Sequence, residues 1–204
     1  MTATNGLSQT AINKGAPEGQ KVILFYKQGE LPEGVFSNFA EYKIIIDDIF
    51  WGTSEIYFQA KKFVGTEHEI EVWKAENSSQ AAAMGRDRSR PLRADWDSPI
   101  DISILPDATT FGADWEKYVG RPMLVKDYVM LIAVRAKFSQ HKDLEGYILS
   151  TKGACLIEHT KNDSYWADGG DGSGQNILGK ILMIVRDERA RLLEEWVQSC
   201  VDSF

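Results

Sequence analysis

The stretch Cys155-Leu156-Ile157-Glu158-His159-Thr160-Lys161-Asn162-Asp163-Ser164-Tyr165-Trp166-Ala167-Asp168-Gly169-Gly170-Asp171-Gly172-Ser173-Gly174-Gln175-Asn176-Ile177-Leu178-Gly179 changes character twice. Its first three residues are apolar and read as a short strand. From Asn176 onward, Ile177, Ile181, Ile184 and Val185 recur at helical spacing, and the helix runs to about residue 199. Between them lie three aspartates (Asp163, Asp168, Asp171), two aromatics (Tyr165, Trp166) and a cluster of glycines. Glycine lets the backbone take positive φ and approach a ligand closely. A loop running into a helix start also leaves free N–H groups facing whatever binds there. A plain connector has no need of a Trp and several carboxylates, so this loop reads as a ligand-handling element. It is not a P-loop, because no Gly-Lys-Ser/Thr closes it, and its acids lack the spacing of a calcium loop. Trp166 equally reads as a core Trp whose N–H finds a carbonyl.

Outward from this stretch, helical and strand patterns alternate. Residues 21–26 read as a strand. Residues 42–46 and 49–51 pair as a hairpin around Asp47-Asp48. A helix starts at Ser54 and runs through residue 65, and short helices cover residues 70–74 and 78–84. Residues 97–122 look irregular, with Pro99 and Pro106 as breakers. Helices follow over residues 127–140 and 144–149, with Gly153 as the stop. The expected fold is α+β: a single compact, mostly helical domain over residues 21–204 with a small β-sheet. Residues 1–20 are polar and aperiodic and read as a flexible tail.

Bulk properties narrow the function classes. With 204 residues and 43% hydrophobic content, the chain can bury one sizeable core. A net charge of -7 argues against a phosphate-driven coat on duplex DNA. It leaves open a nucleotide held in a pocket, where only local charge counts. Two cysteines make no disulfide framework, and His68, His141 and His159 show no metal-ligand spacing. Neither a metal nor another cofactor is expected. No signal peptide and no apolar run near the ~20 residues of a membrane helix is visible. The expectation is a cytoplasmic protein, with a nuclear location also compatible, no membrane partner and a monomeric state.

Three further segments carry candidate chemistry. Glu55, Gln59 and Lys62 sit at spacings of four and three, so they share one helix face. Glu55 also lies in the first turn, where the helix dipole favours its anion. The same stripe reads equally as an exposed Glu–Gln–Lys ladder. Arg86, Arg88, Arg90 and Arg93 crowd around Gly85 and Pro91, with Trp96 following. Arginine suits phosphate, and Trp suits stacking on a base. The alternative is a basic surface patch paired with neighbouring acids. In Phe36-Ser37-Asn38-Phe39, an Asn between two aromatics suits edge-on recognition of a base, or else marks a turn anchored in the core.

These segments, in this order, resemble the NADAR family. The resemblance runs over residues 22–190. It rests on Phe36-Ser37-Asn38-Phe39, on Thr53-Ser54-Glu55 with Tyr57-Phe58-Gln59-Ala60 and Lys62-Phe63, and on Met84-Gly85-Arg86 with Pro91-Leu92-Arg93 and Trp96. It continues through Ala136-Lys137-Phe138, Glu158-His159-Thr160, Asn162-Asp163, Tyr165-Trp166, Asp168-Gly169-Gly170, Asn176 and Leu178-Gly179. Each motif alone is weak, but the ordered set is specific. Two positions depart from the family pattern: Ile56, where His is frequent, and Ala167, where Gly is usual. Residues 97–125 look longer than in compact members, and Phe111, Trp115 and Tyr118 there are expected to cover the site or shape substrate choice.

The resemblance implies hydrolysis of an N-glycosidic bond. The substrate it implies is an ADP-ribose-bearing nucleotide or single-stranded DNA, with ADP-ribose removed from guanine. The alternatives are a phosphorylated intermediate of riboflavin synthesis, or a non-catalytic module that binds ADP-ribose or NAD. Glu55, Lys62 and Asp168 are the expected catalytic residues. Phe36, Asn38, Gln59, Gly85, Arg86, Trp96, Trp166, Gly169, Gly170 and Asn176 are expected to bind substrate. In this expectation the two carboxylates divide acid and base work, and Lys62 forms a Schiff base with the C1 aldehyde of an opened ribose.

Overall fold

A computed structural model of the chain describes residues 16, 19–105 and 108–203. Apart from Ala16, Gly19 and Gln20, the tail expected over residues 1–20 lies outside the described residues, as does Pro106. The strands are β1 (Val22–Phe25), β2 (Ile44–Ile46), β3 (Ile49–Trp51) and β4 (Cys155–Glu158). The helices are α1 (Ser54–Ala60), α2 (Glu67–Trp73), α3 (Ser78–Arg86), α4 (Ala108–Tyr118), α5 (Val125–Gln140), α6 (Lys142–Ser150) and α7 (Ile177–Val201).

The strand content is split between two pairs. β1 runs parallel to β4, with Val22 opposite Cys155 and Phe25 opposite Glu158. β2 and β3 form an antiparallel hairpin in which Ile44 faces Trp51. Its two turn residues, Asp47 and Asp48, have φ of 53° and 58°. Two successive left-handed residues match the twist of a tight hairpin, and Asp tolerates that region better than most side chains.

α1 begins where Thr53 caps it, its side-chain oxygen accepting from the Ile56 N–H at 3.2 Å. It does not run through residue 65 as the periodicity suggests. It ends at Ala60 and tightens into a 3-10 turn over Lys61–Phe63. The Lys62 carbonyl is instead taken by the Arg93 N–H at 2.8 Å, which ties the turn to the arginine-rich segment.

The expectation of irregular structure over residues 97–122 is corrected by α4, an eleven-residue helix. Phe111, Trp115 and Tyr118 recur at spacings of four and three, which places them on one side. Phe111 and Trp115 are buried in the core, and α4 packs against α7. The Tyr118 hydroxyl donates to Asp187 of α7 at 2.6 Å. These aromatics therefore do not cover the site; they hold the last helix.

α7 packs closely over β4. A Cβ placed on Gly179 would come within 2.1 Å of the Leu156 carbonyl oxygen, so only glycine permits this approach. Arg186, almost fully buried, donates to the carbonyls of Thr151 at 3.0 Å and Ala154 at 2.7 Å, which satisfies the turn leading into β4. α7 and β1 both pack against β4, and α1 packs against α3. No helix among the described residues is long and apolar enough to cross a membrane.

Candidate active site

A cleft of about 310 Å³ lies where α1, the end of α3, the end of β4 and the following loop meet. Glu55, Gln59 and Lys62 form one wall, with Arg86 beside them. Glu158, Asp163 and Trp166 form the other, and Tyr26, Asn38 and Phe39 close the side. The stripe on α1 is thus a cleft wall and not a solvent-facing ladder. Glu55 and Gln59 are buried, and the Gln59 amide donates to a Glu55 carboxyl oxygen at 2.7 Å.

Electrostatics in this cleft are set first by burial. Desolvation pushes the Glu55 carboxyl above its ordinary range. The Gln59 hydrogen bond and the charges of Lys62 and Arg86 oppose that shift, while Asp163 adds to it. Burial pushes the Lys62 amine down to about 8. Glu55 holds it up, and Arg88, Arg86 and Lys126 push it further down. The Lys62 Nζ reaches the Gly85 carbonyl only at 3.5 Å and lies 5.2 Å from the centre of the Phe58 ring, so its donors are largely unspent. Glu158 is pushed up to about 8 by burial, then by Asp163, Glu55 and Asp168.

Gly85 shapes this wall. A Cβ there would lie 1.7 Å from the Gln59 side-chain oxygen, which is buried without a hydrogen-bond partner. Close approach of the two segments holds the amide in the orientation that serves Glu55.

The sequence-derived binding residues separate into two groups. Asn38, Gln59, Arg86 and Trp166 join Glu55 and Lys62 in the cleft lining. Phe36 does not: it is fully buried, stacked on Phe138 and Tyr147 and edge-on to Phe25. Trp96 is also buried, its ring tilted against Phe58 at 5.2 Å, so it backs the cleft floor and is not a stacking face for a ligand. Asp168 is committed to its own loop. One of its oxygens accepts from the N–H groups of Thr160 and Gly170, and the other meets the His159 ring at 2.7 Å. It is buried and does not line the cleft, and it acts on cleft-lining Glu158 through its charge. Gly169 and Gly170 supply the positive φ this loop needs. Asn176, at φ 51°, bridges the Leu156 carbonyl and the Glu158 N–H with its side chain. These three residues frame the loop and do not line the cleft.

The arginine cluster divides as well. Arg90 pairs with Glu71 at 2.6 Å, and Arg93 pairs with Asp95 at 2.6 Å, as a surface patch would. Arg86 alone of the four lines the cleft. The sequence reading missed Glu158 and Asp163 as cleft acids, along with Tyr26 and Phe58 as lining rings, whereas Phe39, read as one of the two rings flanking Asn38, does line the cleft. Both acids stand inside the motifs that were read, but nothing in their spacing tells which carboxylate a folded loop turns inward. Asp163 also positions Trp166, since one carboxyl oxygen accepts from the N–H groups of Tyr165 and Trp166 at 2.8 and 2.7 Å. Among the described residues, no group of three or more His, Cys, Asp or Glu is placed to hold a metal ion.

A profile of the NADAR domain matches residues 24–189. The chain belongs to the NADAR family. N-glycosidase YbiA of Escherichia coli is 41% identical over 169 residues, covering 83% of this NADAR chain and 89% of YbiA. An N-glycosidase of Nostoc punctiforme is 37% identical over 174 residues, covering 84% of this chain and 94% of the relative. The NMR structure of Escherichia coli YbiA matches with a TM-score of 0.69 at 40% identity, covering 86% of this chain and 89% of that one. These relatives support an N-glycosidase within the NADAR family.

The two departures from the NADAR pattern leave the cleft lining untouched. Ile56 faces a neighbouring pocket beside Thr53 and Ser78. Ala167 is fully buried but does not take a positive φ, so its methyl group costs the backbone nothing.

Proposed function

We propose that this chain hydrolyses the N-glycosidic bond between a base and an ADP-ribose or phosphoribose sugar, and that its substrate is ADP-ribosylated guanine in single-stranded DNA or a nucleotide. The observation that carries this reading is the convergence of Glu55, Lys62 and Arg86 on one cleft, facing Trp166. A carboxyl group, an amine with lowered pKa and a guanidinium beside an aromatic face suit a phosphorylated sugar attached to a flat base.

Glu55 moves a proton to the ring oxygen as the ribose opens, leaving an imine between C1 and the exocyclic nitrogen of the base. The Lys62 amine, with about a tenth of it neutral at pH 7, adds to C1. The base leaves as a free amine and C1 stays bonded to Lys62 as a Schiff base. Water then adds to C1, returning the lysine and releasing the sugar aldehyde, which recloses. Arg86 holds a phosphate through the sequence.

A second substrate, a phosphorylated intermediate of riboflavin synthesis, is favoured by one comparison. A riboflavin biosynthesis protein of Vibrio vulnificus is 34% identical over 169 residues, of which this chain covers 39% of the length. Both substrates present a phosphorylated ribose joined to an amino-substituted heterocycle, so the same cleft chemistry serves either.

The test is direct competition. ADP-ribosylated guanine in a short single strand and the riboflavin-pathway intermediate are offered together, with Glu55→Gln as control. Release of base only from the first supports the proposed substrate, and release only from the second transfers the assignment. Binding of ADP-ribose without release of any base makes the chain a binding module. Borohydride added during turnover traps a sugar adduct on Lys62, and full activity in Lys62→Ala removes the Schiff-base step.

A further inference from the structure

Past Glu158 the cleft continues into a second lobe of about 280 Å³. Tyr26, Phe39 and Glu158 line both lobes, and Ser37, Lys27 and Gln28 complete the second. The two lobes differ in character. Lys62 and Arg86 line only the first; the rings of Tyr26 and Phe39 border both, and the second has Lys27 as its cation.

Glu158 stands at the junction on a fixed backbone. It is the last residue of β4, opposite Phe25 of β1, and Tyr26 follows directly. Its N–H donates to the Asn176 side chain and its carbonyl accepts from the Asp168 N–H, both at 3.0 Å. Its own carboxyl group, by contrast, has no hydrogen bond or ion pair among the described residues. A half-buried carboxyl group with a clamped backbone and unspent oxygens, set between two lobes, has the placement of a proton donor.

We propose that the second lobe seats the departing heterocyclic amine between Tyr26 and Phe39, and that Glu158 delivers the proton with which it leaves. The proposal rests on the N-glycosidase reading of the first lobe and assigns the leaving-group side of that reaction. After Lys62 has added to C1, the bond from C1 to the base nitrogen breaks and its electron pair stays on that nitrogen. The Glu158 carboxyl proton passes to the nitrogen, leaving a carboxylate. The proton that the Lys62 nitrogen sheds passes to Glu55. Glu55, which gave a proton to the ring oxygen, is thereby restored. Hydrolysis of the Schiff base leaves Lys62 as an ammonium, and exchange of its extra proton through solvent restores the Glu158 carboxyl group before the next turnover.

The charged surroundings favour this role. Tyr26 and Lys27 face Glu158 from the end of β1, Glu55 from α1, and Asp163 and Asp168 from the loop. The start of α7 brings Asn176 and Leu178, neither of which titrates. Burial first, then the three neighbouring acids, keep the carboxyl protonated up to about pH 8.

Two synthetic glycosylamines of ribose 5-phosphate test this, one carrying 4-methoxyaniline and one carrying 4-nitroaniline. The first amine leaves poorly without a proton, and the second needs far less help. Glu158→Gln preserves the shape of the protonated acid, and its melting temperature reports the fold. The expected result is a loss in kcat of roughly 10²–10⁴-fold on the methoxyaniline substrate, but less than about tenfold on the nitroaniline substrate. Tyr26→Ala should weaken inhibition by free 4-methoxyaniline at least about tenfold, roughly one well-packed ring contact, while inhibition by ribose 5-phosphate is retained. Equal losses on both substrates, or no loss on either, overturn the role of Glu158. Unchanged aniline inhibition in Tyr26→Ala overturns the base lobe. If the wild-type protein cleaves neither glycosylamine yet releases base from ADP-ribosylated guanine or the riboflavin-pathway intermediate, the proposal is overturned and the N-glycosidase reading stands; if it releases base from none of these, that reading falls and the proposal with it.

Discussion

Lys62 and Lys137 are two lysines in one fold that burial pushes the same way, to about 8 and about 7. Their surroundings differ. Lys137, on α5, is almost fully buried and donates to the Ser37 carbonyl at 2.8 Å. The rings of Tyr42 and Phe138 lie 5.4 and 5.5 Å away, and no charged neighbour contributes to its shift. Lys62 lines the cleft, with Glu55 and Arg86 acting on its amine. A lowered lysine pKa thus reports desolvation alone. Access and a proton-accepting neighbour separate a nucleophile from a structural donor. Lys137 pins Ser37, the residue before cleft-lining Asn38, and so serves the site only through position.

The comparison breaks most directly on activity. Lys62→Ala is expected to lower kcat by roughly 10²–10⁴-fold with an unchanged melting temperature. Lys137→Met, measured per folded molecule, should stay within a few-fold of wild type. Comparable losses in the two variants would erase the distinction. Gly85→Ala comes next, because the added carbon collides with the Gln59 amide that serves Glu55. Loss of that hydrogen bond is expected to cost about tenfold in kcat, or ~1.4 kcal/mol. Gly85→Ser should cost at least as much. Lys137→Met should also lower unfolding stability by ~1–3 kcal/mol in denaturant titration, since the Ser37 carbonyl stays buried without its donor.

The smallest effect is in pH dependence. The folded pKa of Lys137 lies below its ordinary 10.5. Between about pH 7 and 10 the unfolded chain therefore binds more protons, and stability rises with pH across that window. Lys137→Met should flatten this rise in melting temperature. Glu158 has the opposite sign. Its folded pKa of about 8 exceeds the ordinary 4.5, so its contribution is full below 4.5 and is lost as pH rises through 8. Glu158→Gln should remove that decline.

The Glu55–Gln59–Lys62 stripe was legible in advance because helical periodicity is local: Glu55 and Gln59 share a face of α1 whatever it packs against, and the 3-10 turn that follows leaves Lys62 lining the same cleft. The Asp47-Asp48 hairpin and the start of α7 were legible for similar reasons. α4 was not, because Gly112 and the two threonines before Phe111 weaken its pattern, and its aromatics gain their meaning only against α7. In the loop, Asp163 and Asp168 are five residues apart and chemically alike. One lines the cleft and the other binds His159 and two backbone N–H groups, a division made by loop folding.

The sequence by itself determined the family, the α+β class and the residue types the chemistry needs, since motif order and local period survive without any knowledge of packing. Which carboxyl groups face the cleft, that Phe36 and Trp96 serve the core, and that Glu158 joins two lobes were decided only by the tertiary structure. Burial and charge proximity arise between segments about a hundred residues apart, such as α1 and the loop after β4, and those distances close only when β4 and α7 pack together.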